Sequence, residues 1–265
     1  MKYLSSALVL CFLLGSCSKV PLTGRKQTTW IGSGEMQSMS YSNYQEMMST
    51  GQRLPDSDPR VQQVRRIGKN IQSAVESFLR AEGQSKLLEG FSWEFNVLKD
   101  DQMVNAWCMP GGKVAFYTGI LPICKNDEGI AVVMGHEVAH AIAKHGNERM
   151  THGLMQQMGG MALSVALTEK PEATQNLFMS AYGIGSNVGL MLPFSRTHES
   201  EADRLGLIFM AMAGYNPEAA PAFWERMAAA GSAGVPEFLS THPSHETRIS
   251  NLNKWMPEAK KYYTP

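Results

Sequence analysis

His136-Glu137-Val138-Ala139-His140 lies inside a run that reads as helix. Two histidines four residues apart sit one above the other on a single helix face. Their imidazoles can converge on one zinc ion at about 2.0–2.1 Å per bond. Glu137 lies about 60° round the helix from His140 and can reach a water held there without being a ligand. These residue types at this spacing suit metal-assisted hydrolysis of a peptide bond. Ile130, Val133, Met134, Val138, Ala141 and Ile142 recur at helical spacing, and Asn126 or Asp127 is placed to cap the start. The helix is therefore expected to bury one apolar side and to carry His136, Glu137 and His140 on another.

A catalytic zinc site commonly has three protein ligands and one open position. The extended pattern HExxHxxGxxH would need Gly at 143 and His at 146, but the chain has Ala143 and Gly146, and His145 points to another face. The third ligand must come from elsewhere, and the best candidate segment is Ser195-Arg196-Thr197-His198-Glu199-Ser200-Glu201-Ala202-Asp203-Arg204. If helical, it puts Glu199 and Asp203 on one face, where Glu199 can ligate and Asp203 can accept the outer N–H of a liganding histidine. Glu201 lies about 200° round from Glu199 and is expected to face away.

With these residues in place, the chain resembles the gluzincin peptidases of the CAAX prenyl protease and HtpX family, and within it the soluble bacterial lipoprotein branch of LoiP and BepA type. The likeness rests on His136–His140 with Glu199 and Asp203. It also rests on Val20-Pro21-Leu22-Thr23-Gly24-Arg25-Lys26-Gln27, on Asn105-Ala106-Trp107-Cys108-Met109-Pro110-Gly111-Gly112, on Gly135, and on Leu239-Ser240-Thr241-His242-Pro243 with Arg248. The matching stretches run from about residue 17 to about 252. The resemblance implies one zinc ion on His136, His140 and Glu199, with Glu137 as general base. It further implies that His242 occupies a fourth zinc position in a resting, self-inhibited form, and that Arg248, or a displaced His242, stabilises the oxyanion. An edge strand near Asn105–Tyr117, with Asn105, Gly111 and Gly112 at the substrate, is expected to hold extended polypeptide by β-augmentation.

The N-terminus is Met1-Lys2-Tyr3 and then an apolar run from Leu4 to Leu14, too short for a span of about 20 residues. Leu14-Gly15-Ser16-Cys17 reads as a lipobox with Cys17 as the acylated residue, against an ordinary signal peptide or an uncleaved anchor. Ser18 after it resembles an outer-membrane sorting signal. The expectation is a periplasm-facing lipoprotein of a Gram-negative outer membrane, held by lipid on Cys17. Cys108 and Cys124 then remain, and their pairing is left open. The 24 basic and 24 acidic side chains balance, so nothing suggests a nucleic-acid footprint. Many of the 18 methionines cluster between Met150 and Met212, a use of Met that favours adaptable core packing.

Along the chain, residues 1–16 read as a signal peptide, 17–32 as a lipidated extended tether and 33–265 as the peptidase domain. Ser33–Ser49 reads as helix. Asp58 caps a second helix, with Pro59 in its first turn and Val61, Val64, Ile67, Ile71, Val75, Phe78 and Leu79 on one side. Phe91–Val97 alternates as a half-buried strand, and Met103–Cys108 and Lys113–Thr118 read as two more. Residues 151–192 are expected to form a helical hairpin packed over the active-site helix. Helices are expected at about 194–213, 217–230 and 245–255. The fold expected is α+β, a mostly helical zincin with a small sheet beside the His136 helix. The function expected is a zinc metalloendopeptidase for unfolded or damaged envelope proteins. The alternative is a self-inhibited, zinc-bound chaperone or assembly factor acting with outer-membrane assembly machinery.

Overall fold

The computed structural model describes residues 17–187, 191–230, 238–239, 242 and 247–264. The signal segment 1–16, and Ser240, Thr241 and Pro243 of the C-terminal motif, lie outside the described residues. The fold is α+β, mostly helical with a small sheet. Its elements are β1 (Cys17–Lys19), β2 (Lys26–Thr28), α1 (Ser33–Thr50), α2 (Pro59–Ala81), β3 (Glu94–Leu98), β4 (Ala106–Met109), β5 (Lys113–Tyr117), α3 (Leu121–Cys124), α4 (Asp127–Ile142), α5 (His145–Leu167), α6 (Glu172–Ser186), α7 (Leu192–Met212), α8 (Ala219–Ala230) and α9 (Arg248–Ala259). They form two compact units. One holds the described residues up to Gly32 together with Lys144–Thr197; the other holds Ser33–Ala143 and the residues from His198 onward.

In the larger unit the sheet order is β3-β5-β4, with β3 parallel and β4 antiparallel to β5. Asp58 caps α2 by accepting from the Arg60 N–H at 2.9 Å, and Pro59 starts the helix without wasting a donor. All seven apolar residues expected on its inner side are buried. That side packs on β3 and on α4.

β3 departs from the half-buried expectation: Phe95, Asn96, Val97 and Leu98 are all buried. α2 presses close on one side, where Gly68 leaves room for the Phe95 ring. On the other side Asn96 Nδ2 donates to the Tyr44 hydroxyl at 2.6 Å, and that hydroxyl donates to Glu94 at 2.7 Å. The buried amide is thereby satisfied, as a buried polar group must be.

The expected substrate edge is also narrower than the sequence suggested. Lys113–Tyr117 is the central strand of the sheet, so within Asn105–Tyr117 only β4 lies at an edge. Gly111 and Gly112 sit at φ +96° and +83°, a left-handed turn that disfavours a side chain. Their carbonyls accept from Ser92 and Glu94, and a Cβ on Gly112 would come within 2.8 Å of the Trp93 ring. These glycines build the turn between β4 and β5. Asn105 likewise serves its own strand: its side chain accepts from the Ala106 N–H and its carbonyl from the Tyr117 N–H.

In the smaller unit, residues 17–32 are not an extended tether. β1 and β2 pair antiparallel, with Cys17 opposite Thr28. Arg25 grips Glu148 through two bonds of 2.9 and 2.7 Å, and the Trp30 N–H donates to Thr151 at 3.0 Å. The segment read as a tether thus gains enough side-chain and backbone partners to fold on α5. α5 and α6 pair as the expected hairpin. Among the described residues no helix is long and apolar enough to cross a membrane.

Candidate metal centre

α4 starts where Asn126 accepts from the Gly129 N–H at 3.1 Å, and Asp127 and Glu128 in its first turn face the positive end of the helix dipole. Every residue from Gly129 to Ile142 is buried. The one-sided burial expected from the apolar spacing is therefore exceeded, because α2 and α8 cover α4 from two directions. Lys144, at φ +57°, breaks the helix after His140 has been placed. α7 crosses α4 at two glycines. A Cβ on Gly135 would lie 2.8 Å from the Gly206 carbonyl oxygen, and one on Gly206 would lie 2.9 Å from the His136 backbone nitrogen. That backbone-to-backbone crossing brings Glu199 and Asp203 to the histidine face of α4.

Four side chains converge there. His136, His140, Glu199 and His242 each offer one donor atom, all within 4.8 Å of one another. His136 Nε2 lies 3.1 Å from His140 Nε2, 3.2 Å from His242 Nδ1 and 3.3 Å from a Glu199 oxygen. Asp203 Oδ1 lies 2.9 Å from His136 Nδ1 and accepts its proton, so the Nε2 lone pair is left facing the cluster. Imidazole nitrogens and a carboxylate converging at such distances repel unless a cation lies among them. Burial alone would pull His136 down, yet the carboxylates of Asp203 and Glu199 lift it to about 9. Burial would likewise raise Glu199, but the rings of His140, His136 and His242 hold it well below the usual carboxylate range. The site therefore draws in positive charge. Three imidazoles and one carboxylate make a donor set that fits zinc.

Glu137 is buried beside these donors. Its Oε1 has no hydrogen-bond partner among the described residues and lies 3.4 Å from His242 Nε2. Burial pushes its carboxyl above the usual range, and His242 and His136 oppose this only in part. His242 is thus seated between the other donors and Glu137. Its N–H bonds the Phe238 carbonyl at 2.8 Å, and the Phe238 N–H bonds the Val104 carbonyl at 3.0 Å, which ties the His242 segment to the chain entering β4.

Arg248, the expected oxyanion donor, has Nε and Nη1 without a hydrogen-bond partner among the described residues. It is buried, donates to Asp203 at 2.7 Å and lies 3.4 Å from both Glu199 and His136 Nδ1. Its guanidinium packs on the Trp224 ring at 3.2 Å. It therefore meets the Nδ1 edge of His136, whereas the converging donors meet the Nε2 edge. Two carboxylates and an aromatic face fix it there. Glu201 is outside the donor set, as expected from its helical angle, but it is buried rather than solvated. Cys108 and Cys124 are free thiols, and burial raises both. Trp224, Phe238 and Gly206 were not singled out in the sequence. None can ligate a metal, and only the tertiary fold brings them to His136.

The profile described as Peptidase family M48 matches residues 65–256. The chain is 32% identical to the mitochondrial metalloendopeptidase OMA1 of Saccharomyces cerevisiae over 98% of its own length and 77% of that protein. It is 36% identical to the protein of the same name from Schizosaccharomyces pombe, over 91% of this chain and 67% of that one. A beta-barrel assembly-enhancing protease of Escherichia coli O157:H7 is 27% identical over 60% of this chain and 33% of its own length. These findings overturn the expected location as a periplasm-facing lipoprotein: the relatives aligning over most of the chain are mitochondrial. The physical reason for the error is plain. A basic residue followed by a short apolar run is a generic targeting pattern, and four residues ending in Cys17 are too few to fix a destination.

Proposed function

The chain belongs to peptidase family M48 and is a zinc metalloendopeptidase, and on that premise we propose that it serves protein quality control by cutting unfolded or extended segments of polypeptide. The observation that carries the reading is the buried set of His136, His140 and Glu199 with Glu137 beside it. His136, His140 and Glu199 hold the zinc, and bound zinc supplies a Lewis acid that polarises the scissile carbonyl and acidifies water. Glu137 takes the proton from the attacking water and delivers it to the leaving amine. Its raised carboxyl suits both halves of that task, since a base of very low pKa would not take the proton. Asp203 holds the His136 tautomer. Arg248 braces Asp203 and Glu199 and acts as a positioning residue through them. Half-buried Trp107, Cys108 and Met109 give β4 an edge on which an extended segment can add as a strand, reading backbone more than side chain.

His242 favours a second feature of the same reading, a restrained resting form. It fills the space between the ligands and Glu137 that substrate and water must share. A self-inhibited binding or assembly factor is the limiting case of that restraint. Hydrolysis of an unfolded protein by the purified chain, absent in Glu137→Gln, supports the peptidase role; equal hydrolysis by both sinks the proposed base. Comparing new protein termini in cells carrying wild type or Glu137→Gln then identifies the substrates. Accumulation of termini from folded proteins alone would refute the quality-control task.

A further inference from the structure

Of the eleven large apolar side chains exposed among the described residues, eight lie on α5 and α6. Met158, Met161 and Val165 follow one another at helical spacing on α5, and Leu177, Phe178 and Ile184 project from α6. Val165 is 75% exposed and Ile184 68%. Beyond its first turn or so, neither helix offers charge to keep such a face in water. No Asp, Glu, Lys or Arg occurs from 150 to 168 or from 173 to 195. A patch of this kind on a water-soluble surface is unusual and marks a place where something docks.

Three polar side chains of the hairpin, Gln156, Tyr182 and Ser186, bond between its two helices. Gln156 Nε2 donates to the Ser186 hydroxyl at 2.7 Å, and the Tyr182 hydroxyl donates to the Gln156 carbonyl at 2.8 Å. Gly159 has no side chain where Tyr182 crosses, and a Cβ there would meet the Tyr182 hydroxyl. Small residues and internal hydrogen bonds hold the two helices together while apolar side chains point out. Close packing through small residues is one way in which helices associate in apolar surroundings.

We propose that the α5–α6 hairpin lies in the interfacial layer of a lipid bilayer, parallel to the surface, with the Met158–Val165 and Leu177–Ile184 faces against the acyl chains. The charges decide the orientation. Glu169, Lys170 and Glu172 stand at the turn of the hairpin, exposed Arg149 stands near the start of α5, and exposed Arg196 follows in α7. A hairpin dipping tip-first would bury three charges in hydrocarbon, at high cost. A hairpin lying flat keeps all five at headgroup level, where long side chains can reach water. Acidic and basic groups are mixed, so apolar burial rather than attraction to anionic lipid drives the contact. This contact is separate from the peptidase reading and from any role of residues 1–16.

The test uses the full chain with vesicles of phosphatidylcholine, alone or mixed with phosphatidylglycerol, and an apolar carbene reagent dissolved in the bilayer. Peptide mass spectrometry then locates the adducts. Adducts on 154–165 and 177–184, equal in both lipid mixtures and insensitive to salt, are expected. Val165→Glu with Ile184→Glu should lower hairpin labelling by about tenfold or more, since a charge replacing an apolar contact with acyl chains costs more than one tenfold step. Zinc content and hydrolysis of a soluble peptide should stay unchanged. Adducts confined to residues 1–16, with the wild-type hairpin unlabelled, overturn the proposal whatever the variant does. A lipid-independent dimer in sedimentation, dissolved by the double substitution and leaving the hairpin unlabelled, assigns the face to a second copy instead.

Discussion

At the scale of single residues, the helical spacings carry most of the chemistry. His136 and His140 at i and i+4, and Glu199 and Asp203 at i and i+4, were legible because a fixed helical angle brings each pair to one face, and the structure places all four together. Zinc content tests the assignment. Glu199→Ala should lose most of the metal by atomic absorption, Glu201→Ala should keep it, and Asp203→Asn should weaken affinity by roughly 10–100-fold. Full metal in Glu199→Ala with loss in Glu201→Ala would name the wrong carboxylate. Glu137→Gln keeps the size of the side chain but cannot accept a proton. It should stay zinc-loaded and lose on the order of 10²–10⁴-fold in kcat/KM. Arg248 shows where spacing stops being informative. A basic residue six positions after His242 says nothing about direction, and only the fold shows its guanidinium against Asp203 and Trp224. If Arg248 positions the ligands, Arg248→Ala should weaken zinc binding as well as turnover, with partial rescue by Arg248→Lys. Normal zinc affinity with turnover alone abolished would favour the oxyanion role.

At the scale of elements, amphipathic helices were readable and tertiary contacts between them were not. α2 was legible from its cap and from seven apolar positions on one side. β3 was legible as a strand, but the burial of Asn96 was not, because the partner that satisfies it, Tyr44, is far away in the sequence. The same limit hid Gly206. A lone glycine in a helix costs about 1 kcal/mol relative to alanine, and its reason appears only where it meets Gly135 and the His136 backbone. The atoms it would strike are backbone, so neither helix can yield by turning a side chain. Gly135→Ala should therefore push α4 and α7 apart, at about 1–3 kcal/mol in stability by denaturant titration. It should also lower zinc affinity, because Glu199 and Asp203 move with α7. Asp58→Ala removes a cap on a helix that packs against α4 but carries no ligand. It should cost about 1 kcal/mol and leave zinc affinity untouched. Equal effects of the two substitutions on zinc would show that the glycine crossing does not set the site.

At the scale of the whole molecule, the donor set ties together parts of the chain that are distant in sequence: α4 through His136 and His140, α7 through Glu199, and the segment before α9 through His242. The first two ties could be read from spacing. The third rested on resemblance, because a histidine before a proline carries no helical angle to argue from. Zinc binds only the folded arrangement, so removing it should lower the midpoint of thermal unfolding. At a free zinc concentration of 100 times Kd, the lost contribution is about 2.7 kcal/mol. His242→Ala separates the two consequences of its position. Removing one of four donors should reduce the zinc-dependent part of the stability without abolishing it, since His136, His140 and Glu199 remain. If His242 also closes the space beside Glu137, as its 3.4 Å approach to that carboxylate indicates, the same variant should hydrolyse unfolded protein faster than wild type. A fall on the order of 10²–10³-fold would instead make His242 a donor to the transition state. Unchanged hydrolysis together with an unchanged zinc increment would remove it from the site, because a ligand, a plug and a transition-state donor must each alter at least one of the two.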